Sequence, residues 1–368
     1  MKYKQIEFKS ILNKLKYIDT WFWCRYTLNP YRGCEHRCVY CDARRSKYNI
    51  ENFENIVGAK VDADQMLDKR ILRARTLRPD IVSFGGVCDA YQPAEIKFQI
   101  TRKILSTLKK HKWPCFLLTK SDLILRDIDL FREISRNSYI CIAFTINTAS
   151  DDSAKHFEPF SPPPGKRFKA LEKLKSEGLY TGVCAMPILP YVWDSEEQLD
   201  ELFRRSKQVE ADFIIFSSLT LGESMKHDFY PFLDKYRTGL SNKYREIFIK
   251  GSYGPIKSYI RKLNKLILEL SEKYQIPLRI QKHFIPKDYR KNNYKLAHFL
   301  ADIAYYRQMK NKTFSSYQWA ALNILNSNED ALNLLLQDKL KDIRNFENEE
   351  IHNTAKEFLL KIKDEKDE

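Results

Sequence analysis

Between residues 34 and 41 the chain reads Cys34-Glu35-His36-Arg37-Cys38-Val39-Tyr40-Cys41. Three thiols in one short loop, at C-x3-C-x2-C spacing, can hold three irons of a cubane [4Fe–4S] cluster and leave the fourth iron without a protein ligand. Electron-transfer clusters close with four Cys, and structural zinc sites close with four ligands. A three-Cys loop is therefore an open site that a substrate can occupy. The alternative is a zinc knuckle completed by Cys24, His36 or Asp42, although no second metal-type Cys or His pair follows downstream.

The loop sits in a longer word, LNPYRGCEHRCVYCDAR, from Leu28 to Arg44. With an aromatic residue, Tyr40, before the third cysteine, this segment resembles the radical S-adenosylmethionine (radical SAM) superfamily and, within it, the spore photoproduct lyase-like branch. The resemblance spans roughly residues 26 to 220. It implies that Cys34, Cys38 and Cys41 ligate three irons of a [4Fe–4S] cluster, and that S-adenosyl-L-methionine chelates the fourth through its amino and carboxylate groups. One electron from the reduced cluster then splits the C5′–S bond, and the resulting deoxyadenosyl radical removes a hydrogen atom from a substrate. Such a protein supplies binding, orientation and exclusion of water, while the cofactor carries the difficult chemistry. Asp42 stands where the repair enzymes of the branch carry a second tyrosine, so the resemblance does not extend to their substrate.

Further words carry expected cofactor contacts. Gly85-Gly86 ends a strand-like run and lets a ligand approach the backbone closely; by resemblance it receives the methionine amino group. The following Asp89-Ala90-Tyr91-Gln92-Pro93-Ala94-Glu95 resembles a word of the same branch and adds Asp89 to the set. Lys120, in Leu118-Thr119-Lys120-Ser121, would hold the methionine carboxylate. Tyr40 packs on the adenine side in relatives and is also carried as a catalytic candidate. Thr145 and Met186 complete the set, the latter within Ala185-Met186-Pro187-Ile188-Leu189-Pro190. Glu158-Pro159 and Arg167 resemble another element of the branch; Arg167 either pairs with Glu158 or reaches the cofactor. Cys88 reads as a thiol that returns a hydrogen atom to a product radical, or as a small apolar residue.

These words need elements to bring them together. From residue 80 to 216, apolar runs at 81–84, 115–119, 139–145, 180–186 and 213–216 alternate with helical patterns at 93–110, 127–136, 163–177 and 195–208, which signals parallel βα units. With a first strand near 25–28, six units make an α/β fold: a partial (βα)6 radical SAM barrel with an appended helical C-terminal domain. In such folds the site lies at the carboxyl ends of the strands, where Gly85-Gly86, Thr119-Lys120 and Met186-Pro187 all fall. The expected division is an N-terminal helical extension over 1–24, the barrel core over 25–222, a helical continuation over 223–283 with one strand at 276–280, and a helical domain over 284–368.

Composition narrows the classes. Apolar residues at 43% and aromatics at 13% support a sizeable core and exclude a disordered chain. No apolar run is long enough for a membrane helix, and the charged N-terminus lacks a signal-peptide pattern, so a cytoplasmic location is expected. A net charge of +15 favours a polyanionic partner or reflects a lysine-rich proteome. The stretch 279–312 interleaves cations with aromatics. Lys282, Arg290, Lys291 and Lys295 are candidate contacts to DNA or RNA, against the alternative of an amphipathic helix with solvated lysines. The reaction itself requires a reductant such as flavodoxin or ferredoxin.

Overall fold

The computed structural model describes residues 1–44, 50, 52, 53, 55–284, 288 and 290–364. The chain forms two compact units, one of Met1–Leu15 with Cys24–Leu278 and one of Lys16–Trp23 with Arg279–Glu368.

Among the described residues of the first unit, ten strands form two sheets. They are β1 (Lys2–Gln5), β2 (Leu12–Lys14), β3 (Tyr26–Leu28), β4 (Tyr31–Arg32), β5 (Ile56–Ala59), β6 (Val82–Phe84), β7 (Cys115–Thr119), β8 (Ile140–Thr145), β9 (Tyr180–Ile188) and β10 (Ile214–Ser218). The main sheet has the order β10-β9-β8-β7-β6-β3-β2. The six strands β3 and β6 to β10 are parallel, and β2 adds antiparallel at one edge. Each parallel strand lies beside its predecessor in the chain, so the sheet winds in one direction as a barrel does, with no reversal of strand order. It does not close, because β10 and β2 are both edges. All six residues of β8 are buried, as expected for a parallel strand covered on both faces. The small sheet β1-β5-β4 stands apart.

Several expectations change. The N-terminal segment is not a helical extension: residues 2–5 and 12–14 are strands. Each pairs with a segment far along the chain, β1 with β5 and β2 with β3, and such partners override a weak local helical pattern. The expected strand at 276–280 forms no ladder; Pro277 contributes a single carbonyl to Ile214 N–H at 2.9 Å, and a proline has no N–H to return. The helix expected over 93–110 is two helices, Ala94–Phe98 and Ile100–His111, separated by Gln99 at φ 52°. The buried Glu95 carboxylate explains the break. It accepts from Thr101 N–H at 3.0 Å and Arg102 N–H at 3.2 Å, capping the second helix, and it pairs with Arg126 at 2.9 Å. Ile96, on the first of these helices, is 65% exposed.

The second unit is helical, with Lys291–Met309, Ser315–Asn326, Ala331–Leu336 and Glu349–Asp364 as its α-helices. The aromatic segment 16–23 belongs to it: Trp23 is fully buried and donates its indole N–H to Ile280 O at 2.9 Å. Among the described residues, no helix is long and apolar enough to cross a membrane.

β6 ends in a turn at Gly85, φ +79°, where an added Cβ would stand 1.9 Å from the Leu118 carbonyl oxygen of β7. Gly178, at φ +74°, has open space around the same position. Gly178→Ala should therefore cost only left-handed strain, about 1 kcal/mol, while Gly85→Ala should cost on the order of 3 kcal/mol by adding a backbone clash. Urea unfolding of the two variants checks the difference; equal losses would contradict the close β6–β7 approach.

Candidate functional site

The cysteine loop is held from outside by polar bonds. Gln92, fully buried, donates to Gly33 O at 3.1 Å and accepts from Glu35 N–H at 3.0 Å. Arg44 donates to Cys38 O at 3.0 Å and Arg37 O at 2.9 Å, and Val39 N–H donates to Phe157 O at 2.9 Å. These bonds occupy the backbone and leave the sulfurs to face inward. Cys34, Cys38 and Cys41 line one cavity of about 290 Å³.

The other walls are strand ends. Gly85, Gly86 and Val87 follow β6, Thr119 and Lys120 close β7, and Thr145 ends β8. Met186 and Pro187 lie near the end of β9, and Ser217 to Thr220 come from the end of β10. The structure thus brings the expected residues Tyr40, Gly85, Gly86, Asp89, Lys120, Thr145 and Met186 to the cavity that the three thiols share.

Two buried carboxylates brace this cavity. Asp89 accepts from Tyr91 N–H at 2.8 Å, Thr119 Oγ1 at 2.7 Å and Lys120 N–H at 2.7 Å, and its Oδ2 lies 3.1 Å from His36 Nε2. Burial opposes its ionisation, but His36 and these donors outweigh that and hold it down to about 2. Asp89 lines the cavity, yet its oxygens already serve the protein; it ties the cysteine loop to the ends of β6 and β7. Glu158 is the second brace. It receives the Tyr40 hydroxyl, the Arg167 guanidinium and Asn147 Nδ2 at 3.3 Å, and Lys120 Nζ stands 4.0 Å away. Burial again raises this carboxyl, and the two cations with the hydrogen bonds bring it below the usual range. Arg167 therefore pairs with Glu158 and donates to Thr145 O at 2.9 Å.

Two expectations are corrected. Cys88 does not line the cavity. Val87 does, and Cys88 next to it packs with Cys34, Ala43 and Phe53. Burial pushes its thiol up to about 12. In the basic stretch, Lys282 is 3% and Arg290 7% exposed. Lys282 Nζ lies over the Tyr294 ring at 4.8 Å, and Arg290 makes a two-pronged pair with Asp288 at 3.1 and 2.9 Å. They are packing elements of the helical unit, since aromatic faces and a local carboxylate compensate their burial. Lys291 is exposed and Lys295 half-buried. Asn147 and Ser217–Ser218 went unnoticed in the sequence; the only signal was a polar residue directly after an apolar strand run.

The donor set fits a cluster better than a single ion. Among the described residues, no three His, Cys, Asp or Glu groups converge as one metal ion requires. A cube takes each thiolate on a separate iron. The fourth-ligand candidates of the zinc alternative are engaged elsewhere: His36 has Asp89 and the Phe160 carbonyl on its two ring nitrogens, Asp42 accepts from the Tyr253 hydroxyl at 3.1 Å, and Cys24 does not line the cavity. Burial pushes Cys34 well above the usual thiol range and Cys38 to about 11, so thiolates here call for a bound cationic centre. Ser218 also lines the cavity, and its buried Oγ has no hydrogen-bond partner among the described residues, which suits a polar ligand.

Comparison with known proteins agrees. Residues 28–204 match the Radical SAM superfamily. An uncharacterised protein of Mycobacterium tuberculosis is 29% identical over 257 residues, 68% of this chain and 75% of that protein. An uncharacterised protein of Methanocaldococcus jannaschii is 34% identical over 179 residues, 48% of this chain and 65% of that protein. A spore photoproduct lyase complexed with dinucleoside spore photoproduct shares the fold, with TM-score 0.53 and 16% identity over 68% of this chain and 74% of that chain. The three thiols that line the cavity lie within residues 28–204, and that segment is identified by its match as a radical SAM domain.

Proposed function

We propose that this protein is an enzyme that removes a hydrogen atom from a nucleic-acid base, which is thereby repaired or modified. The carrying observation is the shared cavity, with three thiols on one wall and an orphaned hydroxyl on another. Cys34, Cys38 and Cys41 would hold the [4Fe–4S] cluster, with S-adenosyl-L-methionine alongside it. When bound, the two together supply a one-electron cleavage that yields a hydrogen-abstracting radical.

The chain's own residues position and protect. Lys120 Nζ shares its carboxylate neighbour Glu158 with Arg167 and Tyr40, so its donors remain for the methionine carboxylate. The turn at Gly85-Gly86 offers backbone to the amino group, and a Cβ at Gly86 would meet nothing within 4 Å. Tyr40, fixed between Glu158 and Asn147 and edged by Trp193 at 5.9 Å, forms a rigid wall. Burial, with the Glu158 carboxylate, pushes its hydroxyl well above the usual range, so it stays neutral and shapes the site. Asp89 fixes the loop geometry. Thr145 and Met186 complete the walls.

A base is favoured as substrate by the formal charge of +15 and by the shared fold with a lyase solved with a dinucleoside photoproduct. The base must be single-stranded or flipped out to enter the cavity. Modification of a peptide or small molecule is the competing outcome.

Three results are expected. Reconstituted Cys38→Ala should lose the visible iron–sulfur absorbance and all release of 5′-deoxyadenosine; a spectrum unchanged from the parent protein would sink the ligand assignment. Lys120→Met should keep that absorbance but bind S-adenosyl-L-methionine about 10- to 100-fold more weakly, the loss of one charge-assisted hydrogen bond. Finally, affinity for single-stranded DNA or RNA should fall steeply with salt, and deuterium should pass from labelled nucleic acid into 5′-deoxyadenosine. Transfer only from a peptide or small-molecule fraction would reassign the substrate.

A further inference from the structure

A second groove, of about 610 Å³, borders the cysteine loop, and His36 lines both it and the thiol cavity. Its walls include Pro93, Pro159 and Pro162, with Ile96 and Phe160 at its rim. These two side chains are 65% and 57% exposed, among the most exposed large apolar residues described. The Arg37 guanidinium lies over the Phe160 ring at 4.9 Å. The same segment touches the loop: Phe160 O is 3.3 Å from His36 Nδ1, and Ser161 Oγ is 3.9 Å from Cys38 Sγ. Apart from the shared His36, nothing in the proposed cofactor or substrate binding uses this groove.

We propose that the groove docks an acidic, low-potential one-electron carrier protein of the flavodoxin or ferredoxin class, with Ser161 and Cys38 at the point of nearest approach. This rests on the functional reading above, which consumes one electron for each cofactor cleaved. The thiol cavity must admit cofactor and substrate, so the electron needs a separate surface close to a cluster ligand. An exposed apolar patch with a cation at its edge marks a protein interface. The proline walls keep it preformed. The large positive charge of the chain attracts an acidic partner and speeds encounter. A nucleic-acid strand fits less well, because the groove offers one rim arginine, the carboxylate of Asp122 and aliphatic walls rather than a track of cations. In the transfer the carrier loses one electron and the iron–sulfur centre gains it; no atom or proton moves.

Ile96→Glu and Phe160→Glu in the full reconstituted chain test this. Binding of oxidised flavodoxin is measured calorimetrically, and visible bleaching by flavodoxin hydroquinone is timed against bleaching by dithionite. The variants should keep the parental melting temperature and the dithionite rate within about twofold, while flavodoxin affinity and flavodoxin-driven bleaching fall at least about tenfold. Flavodoxin binding and reduction at parental levels in both variants would overturn the proposal. So would a loss of single-stranded oligonucleotide binding with flavodoxin binding unchanged, which would make the groove a nucleic-acid surface. Failure of dithionite to give 5′-deoxyadenosine in the parent protein would count against the functional reading alone, since binding and bleaching are read independently of it.

Discussion

One buried carboxylate sets the geometry on which the site depends. Asp89 joins three segments distant in sequence: the cysteine loop through His36, the end of β6 through Tyr91, and the end of β7 through Thr119 and Lys120. An ionised carboxylate at this depth is tolerated only when its lone pairs are met, and here four donors meet them. The donors in turn are fixed in position. The cysteine loop, the segment after β6 and the Lys120 backbone are therefore held relative to one another.

Glu158 repeats the arrangement on the other side. Its partners are Arg167, Tyr40 and Asn147, with Lys120 at 4.0 Å. Two cations share this one carboxylate, and Asp89 supplies a second negative charge near Lys120, so the buried charges of the two braces offset one another. Lys120 belongs to both networks, by its backbone N–H to Asp89 and by its side chain to Glu158.

The sheet explains why these groups meet. Six parallel strands laid down in chain order bring every strand end to one rim, and helices on the outside keep the strands dry. The barrel stays open between β10 and β2. Glu95 shows how polar residues serve this scaffold as well: it caps one helix, pairs with Arg126 and receives the Tyr31 hydroxyl from the strand leading to the loop.

Much of this was legible from residue order alone. The C-x3-C-x2-C spacing brought three thiols into one loop, and apolar runs separated by helical periods specified parallel βα units, because both are local patterns with a direct physical cause. The strands at 82–84, 115–119, 140–145, 180–188 and 214–218 lie where those runs predict. What the order of residues could not decide was the partner of each polar side chain. Asp89 reads as a ligand contact and is a brace; Arg167 was undecided and pairs with Glu158; Cys88 neighbours a wall residue yet turns away from the cavity. Lys282 and Arg290 look like a nucleic-acid surface and are buried against aromatics and Asp288. The N-terminal strands likewise depend on partners more than ten residues away. Local spacing determines which atoms a chain offers to chemistry, but burial and long-range pairing determine which of them remain available, and those exist only once the chain has folded.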